Sequence, residues 1–160
     1  YSEHIGPMRG AQVIARAWLD PDFKARLLDN ATAAITEFGF EGNATGHLHA
    51  VENTATQHNM VVCTLCSCYP FSILGMSPAW YKSAAYRSRA VREPRAVLAE
   101  FGVVLPDTVA VRVWDSTAEL RYIVIPERPE GTDGWDVDRL AAIVTRNSMI
   151  GTDRVLKAEG

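Results

Sequence analysis

Val62-Cys63-Thr64-Leu65-Cys66-Ser67-Cys68-Tyr69-Pro70 follows directly on the apolar run Asn59-Met60-Val61-Val62. The run reads as a short strand, and it ends on three thiols spaced C-x-x-C-x-C. All three cysteines of the 160-residue chain fall between Cys63 and Cys68. A disulfide scaffold spreads an even number of cysteines along a short chain, so this odd, crowded set excludes one. Few cysteines without a pairing pattern favour a reducing compartment, and the chain is read as cytoplasmic.

Upstream of the motif, His47-Leu48-His49-Ala50-Val51 reads as a second short strand, after a polar linker Glu41 to Gly46. The first forty residues or so are helical in texture. Ala11, Val13, Ile14, Ala17 and Trp18 recur at helical spacing. Asp20-Pro21 supplies an N-cap and a proline at the first helical position. Phe23, Leu27, Ala31, Ile35 and Phe38 then predict one continuous helix, with Gly39 to end it. These helices have the choice of packing on the rest of the chain or embracing a partner. Downstream, Ser77-Pro78 predicts a helix through Trp80, Tyr81, Tyr86 and Val91, interrupted at Pro94 and followed by a short piece ending at Gly102. Val109, Val111 and Val113 alternate with Ala110, Arg112 and Trp114 as a strand. Arg121 to Ile125 is another, with Ser116 to Glu119 read as the turn between them. Pro126 to Gly134 is a loop. Asp136 caps a last helix, with Val137, Leu140, Ala141 and Val144 read as inward-facing. The class is α+β. Residues 1–42 form an N-terminal helical arm and 43–160 a metal-binding catalytic domain.

Apolar residues make up 48% of the chain, enough for a real core. Sixteen Lys+Arg against nineteen Asp+Glu give a net charge of −3, which argues against a nucleic-acid partner. No apolar run approaches the roughly 18 residues that span a bilayer, so no membrane association is expected. Nothing near Tyr1 reads as a signal peptide.

Several chemistries compete for the three thiols. A structural zinc site wants four ligands, so His58 would have to complete it, giving a zinc-stabilised interaction module. A redox C-x-x-C wants a βαβ context that is absent here. Inert buried cysteine suits isolated residues better than three of three in six positions. The remaining reading is a compact metal claw. In Cys66-Ser67-Cys68 the two sulfurs flank backbone amides at the same centre. Two sulfurs and two amide nitrogens would form a plane, and the Cys63 sulfur would stand axial to it. Such mixed S/N ligation suits a first-row transition metal rather than Mg or Ca, and it leaves one position open for water or substrate.

With its flanks, this motif resembles the metal-binding segment of the nitrile hydratase α subunit. The likeness extends through Val51-Glu52-Asn53-Thr54, His58-Asn59, Ile73-Leu74-Gly75, Trp80-Tyr81-Lys82-Ser83, Tyr86-Arg87-Ser88-Arg89, Val91-Arg92-Glu93-Pro94-Arg95, Val97-Leu98, Arg121-Tyr122 and Arg128-Pro129-Glu130-Gly131-Thr132-Asp133-Gly134-Trp135. It implies an extended helical arm followed by an α-β-β-α layered domain. It implies Co(III) or Fe(III), one per chain, on the sulfurs of Cys63, Cys66 and Cys68 and the backbone nitrogens that include Ser67. Thr64 is the cobalt-type residue at its position, where iron-type members carry serine. Cys66 would be oxidised to the sulfinic acid and Cys68 to the sulfenic acid, both steps on the ordinary oxidation ladder. Arginines of a β-type subunit would hold the added oxygens, so the chain would act only within a hetero-oligomer. The reaction implied is hydration of a small nitrile to its amide, with Cys66, Ser67 and Cys68 at the catalytic centre and the Cys68 sulfenate as nucleophile or base.

Three departures bear on substrate. Phe71 stands where relatives carry a pocket tryptophan. Asn147-Ser148-Met149-Ile150-Gly151 replaces the usual Asp-Cys-Leu-Ile-Gly, which leaves the claw as the chain's entire thiol content. Cys68-Tyr69-Pro70 is also typical of the sister family thiocyanate hydrolase, whose γ subunit carries the same cobalt claw. The three-subunit toyocamycin nitrile hydratase would equally suit a remodelled pocket. Arg121 matches a family arginine near the cysteine loop, and an interface salt bridge is its plainer role. Glu52 is read either as a buried ion-pair partner or as part of an outer network around the metal. His47, His49 and His58 are read as structural rather than ligating.

Overall fold

A computed structural model describes residues 2–38, 47–63, 74, 78–117 and 119–155, with backbone alone for 2–8. Helix α1 runs Ser2–Leu19. Asp20 then caps α2, Pro21–Asp29, accepting from the backbone N–H of Asp22 and Phe23 at 3.1 Å each. The single helix expected to run on to Phe38 is instead broken at Asn30. Its backbone N–H donates to Arg26 O at 2.8 Å and closes α2. Its side chain accepts from Ala33 N at 3.1 Å and opens α3, Ala31–Ala34, which tightens into a 3-10 turn at Ile35–Phe38. Asparagine competes for the backbone in this way, which is why it caps helices better than it extends them. The apolar face survives the break, for Phe23, Leu27, Ala31 and Ile35 are all buried. Gly39 and the expected linker 41–46 lie outside the described residues.

Strands β1 (His47–Glu52) and β2 (Gln57–Val62) follow. A 3-10 turn at Ala79–Lys82 leads to Ser83, which caps α4, Ala84–Arg92, by accepting from Tyr86 N at 3.1 Å. The expected helix is therefore interrupted at Ser83 as well as at Pro94. Ser77 lies outside the described residues. Glu93 ends α4, and Pro94 opens α5, Pro94–Glu100. Strands β3 (Ala110–Asp115) and β4 (Leu120–Ile125) come next, then α6 (Val137–Ala141), capped by Asp136, and α7 (Arg146–Ile150), which the sequence reading did not separate. Val137 is 38% exposed rather than inward, whereas Leu140 and Val144 are buried as expected.

The largest difference from expectation is in strand pairing. β3 and β4 form no hairpin. β1 pairs in parallel with β4, and β2 in parallel with β3. Segment 116–119 joins two different sheets, and Thr54 to Gln57 does the same between β1 and β2. Thr54 closes that turn, accepting from Gln57 N at 3.2 Å. Parallel strands are normally buried on both faces, and β2 reads buried from His58 to Val62. α1, α2, α3, α6 and α7 cluster on the β1–β4 side, whereas α4 and α5 cover β2 and β3. This gives the α-β-β-α layering. Residues of the N-terminal helices share one core with the strands, including Val13, Ile14, Phe23 and Leu27. Among the described residues no helix is long and apolar enough to cross a membrane.

Candidate metal centre

Cys63 is the first residue past β2, and it is fully buried. The side chains proposed to join it, Cys66, Ser67 and Cys68, and the pocket residue Phe71, lie outside the described residues. The structure thus fixes the root of the motif and its surroundings. Arg121 stands near the start of β4, opposite Leu48. It is tied through 116–119 to the end of β3 that pairs with Val62. Glu52 stands at the far end of β1. Its carboxylate meets Lys24 Nζ at 2.7 Å, and its backbone oxygen accepts from Asn59 Nδ2 at 2.8 Å. Asn59 lies about 13 Å up the strand from Cys63 at ordinary strand rise. Any influence of Glu52 on the thiol therefore runs through Asn59 and the length of β2.

Several interactions lock β2 in place. Tyr86 of α4 donates its hydroxyl to Val61 O at 2.6 Å. Burial pushes the Tyr86 hydroxyl well above its usual pKa, so it stays protonated and remains a donor. Val62 O accepts from Ser116 N at 2.7 Å. Buried Asn59 receives two donors on Oδ1, from Gln57 Nε2 and Trp114 Nε1, each at 2.9 Å. Its own N–H donates to Asn53 Oδ1 at 2.7 Å. The sequence places Tyr86 only on a helix, and the structure makes it a core aromatic, T-shaped against Trp80 at 4.9 Å. Its hydroxyl role has no sequence signal. Tyr86→Phe should strip a donor from a buried carbonyl at a cost of about 1–2 kcal/mol, or about 3–6 °C of thermal midpoint. An unchanged midpoint would show that the bond contributes nothing.

His58 sits near the other end of β2. Its Nε2 lies 2.6 Å from Gly151 O, and its Nδ1 lies 3.4 Å from Asn53 Nδ2. This fixes Nε2 as the protonated nitrogen of a neutral ring. Burial pulls the His58 pKa down, the Gly151 carbonyl opposes that, Arg154 reinforces it and Glu127 opposes it. A depressed folded pKa means that the unfolded chain binds the extra proton first. The stabilisation is therefore complete above the unfolded value of about 6.5 and is lost as pH falls below it. The thermal midpoint should drop between pH 7 and pH 5, and the drop should shrink in His58→Gln, which keeps an N–H for Gly151. Equal slopes in the two proteins would assign the effect elsewhere.

His58 and Cys63 are separated by about 16 Å of strand, so His58 cannot complete a zinc site with Cys63. His47 bonds Thr32 Oγ1 at 2.9 Å, and His49 stacks edge-on to Tyr122 at 5.7 Å. Among the described residues no cluster of three His, Cys, Asp or Glu could hold a metal. A cavity of about 610 Å³ is lined by Asn53, His58, Pro126, Arg128 and Arg154 among others. It opens at the end of β2 opposite Cys63 and is not the metal centre.

At the Cys63 end the buried groups fit a metal thiolate. The thiol is fully buried, among the described residues no carboxylate or imidazole cluster competes for the ion, and the buried Ser116 hydroxyl has no partner. Leaving such a hydroxyl unpaired costs about 1–3 kcal/mol, which asks for an occupant. A strand that delivers a buried thiol to the head of a C-x-x-C-x-C sequence, on an α-β-β-α frame, marks a candidate thiolate metal site.

The comparisons narrow this class. The family model for the nitrile hydratase alpha chain matches residues 1–153. The high-molecular weight cobalt-containing nitrile hydratase subunit alpha of Rhodococcus rhodochrous is 54% identical over 98% of this chain and 77% of its own. The thiocyanate hydrolase subunit gamma of Thiobacillus thioparus is 47% identical over 94% of this chain and 67% of its own. A solved double-mutant Fe-type nitrile hydratase from Comamonas testosteroni Ni1 superposes with a TM-score of 0.92 at 44% identity, covering 98% of this chain and 79% of that one. The chain belongs to the nitrile hydratase alpha chain family.

Proposed function

We propose that this chain is the metal-binding subunit of a cobalt nitrile hydratase, cytoplasmic, and active with a β-type subunit. The observation that carries the reading is the buried Cys63 thiol at the head of Cys-Thr-Leu-Cys-Ser-Cys, within a match that spans the whole motif. The sulfurs of Cys63, Cys66 and Cys68 and the backbone nitrogen of Ser67 would hold Co(III), and Thr64 favours cobalt over iron. When bound, the metal supplies Lewis acidity toward the nitrile. Cys63 directly follows β2 and is fully buried, so the residues after it start from a fixed point. Cys66 as sulfinate and Cys68 as sulfenate would offer oxygens to partner arginines. The Cys68 oxygen would take a water proton or attack the nitrile carbon. Phe71 would border the pocket, with Arg121 close to the cysteine loop. Glu52 would act from outside, by steadying Asn59 on β2. The N-terminal helices share one core with the strands, so residues 1–42 would meet the partner subunit across their outer surface and not as a free arm.

Metal analysis and intact mass test this reading. About one cobalt per chain is expected, with two added oxygens on Cys66 and one on Cys68. Zinc with unmodified thiols would sink it. The thiocyanate hydrolase reading is favoured by Cys68-Tyr69-Pro70. Turnover of thiocyanate but of no nitrile, with partner subunits present, would select it.

A further inference from the structure

Ser116 is one step past the last paired residues of β2 and β3, Val62 and Asp115. Continuing that parallel register sets Ser116 beside Cys63, on the same face of the sheet, at a strand spacing of about 5 Å. Ser116 N donates to Val62 O at 2.7 Å, which holds the two chains together at this point. Cys63 is fully buried, and Ser116 is 1% exposed. The Ser116 hydroxyl has no hydrogen-bond partner. A buried hydroxyl without a partner is rare in native proteins and marks an absent ion, water or reacting group.

From this juxtaposition we infer that Ser116 is a positioning residue whose hydroxyl donates to the Cys63 sulfur once that sulfur is a metal thiolate. The inference rests on the proposed metal centre. A thiol offers only a weak S–H donor and a weak acceptor, whereas a thiolate is acceptor-only and charged. Binding of the metal therefore turns a weak acceptor beside the hydroxyl into a charged, stronger one. The bond draws electron density from the sulfur. A sulfur held in this way gives less charge to the metal, which is left a stronger Lewis acid. Hydrogen bonds donated to ligand sulfurs are a known way for a protein to tune a metal centre.

The test uses the complete complex with its partner subunits: wild type, Ser116→Ala and Ser116→Thr, each assayed for cobalt content. The sulfur-to-cobalt charge-transfer band is the direct readout. Loss of the donor raises the sulfur lone pair, so the band of Ser116→Ala should move to longer wavelength and that of Ser116→Thr should stay near wild type. Turnover at saturating substrate should fall about 10-fold in Ser116→Ala with KM nearly unchanged. The second readout is the thermal midpoint with and without metal. Ser116→Ala should leave the metal-free midpoint unchanged or raised, and should lower that of the loaded complex. A wild-type band in fully loaded Ser116→Ala overturns the inference. So does an equal loss of midpoint in both states, or equal loss of cobalt in the alanine and threonine variants. A wild-type complex without cobalt overturns the metal centre itself, and the inference falls with it.

Discussion

Gly151→Ala is expected to leave little folded protein. Gly151 ends α7 with φ +97°, a region that side chains rarely adopt. A Cβ there would stand 2.0 Å from Asn59 O and 2.8 Å from Met60 Cα. Both are backbone atoms of β2, so no rotamer change relieves the clash. The helix end must lift from the strand, and the His58 bond to Gly151 O must break. The left-handed penalty alone is about 1–2 kcal/mol. Overpacking against backbone adds about 1–3 kcal/mol or more. The sum takes a large share of a total stability of about 5–15 kcal/mol. Gly102→Ala separates the two contributions. Its φ is +92°, but nothing lies within 4 Å of a Cβ there. Urea midpoints should fall modestly for Gly102→Ala and severely for Gly151→Ala. Equal falls would show that the close approach to β2 is not what matters.

Cys63→Ala should abolish cobalt binding and lower nitrile turnover at least 10³-fold in the complex. Removing a buried thiol also leaves a small cavity, worth about 1 kcal/mol. The metal loss must therefore be read on a protein whose fold is checked by circular dichroism. Cys63→Ser keeps the volume and offers a hard oxygen in place of a soft sulfur, which should not restore cobalt. A folded Cys63→Ala complex that keeps full cobalt would remove Cys63 from the ligand set.

Much of this was legible in the sequence wherever the signal was local. Asp20-Pro21 and Asp136 cap helices as read, because capping needs only the residues next to the cap. The apolar face from Phe23 to Ile35 was legible, but its interruption at Asn30 was not. Helical spacing is blind to a residue whose backbone N–H closes one helix while its side chain opens the next. The strands themselves were visible, β3 from its period of two and β2 from its apolar run. Their partners were not, since alternation says which face is buried and not which strand lies beside it. Ser116 was read as a turn residue for the same reason. Its position beside Cys63 depends on a pairing between distant segments. The thiol motif can be read as a unit because its three cysteines are contained within six consecutive residues.

The pairing of β2 with β3 also sets an order of events. The strand that carries Cys63 is made well before its neighbour, since Val62 must wait for Asp115. β1 waits longer still, for Leu120 to Ile125. Until then both strands are open apolar edges, of the kind that fold slowly and aggregate readily. During that interval the thiols project from an unsupported chain, and the Ser116 hydroxyl is not yet beside Cys63. A metal acquired early would meet thiols that no neighbouring strand yet holds in place. For the proposed centre, metal choice would thus be a matter of timing as much as of ligands, with the site complete only once the second half of the chain has closed over the first.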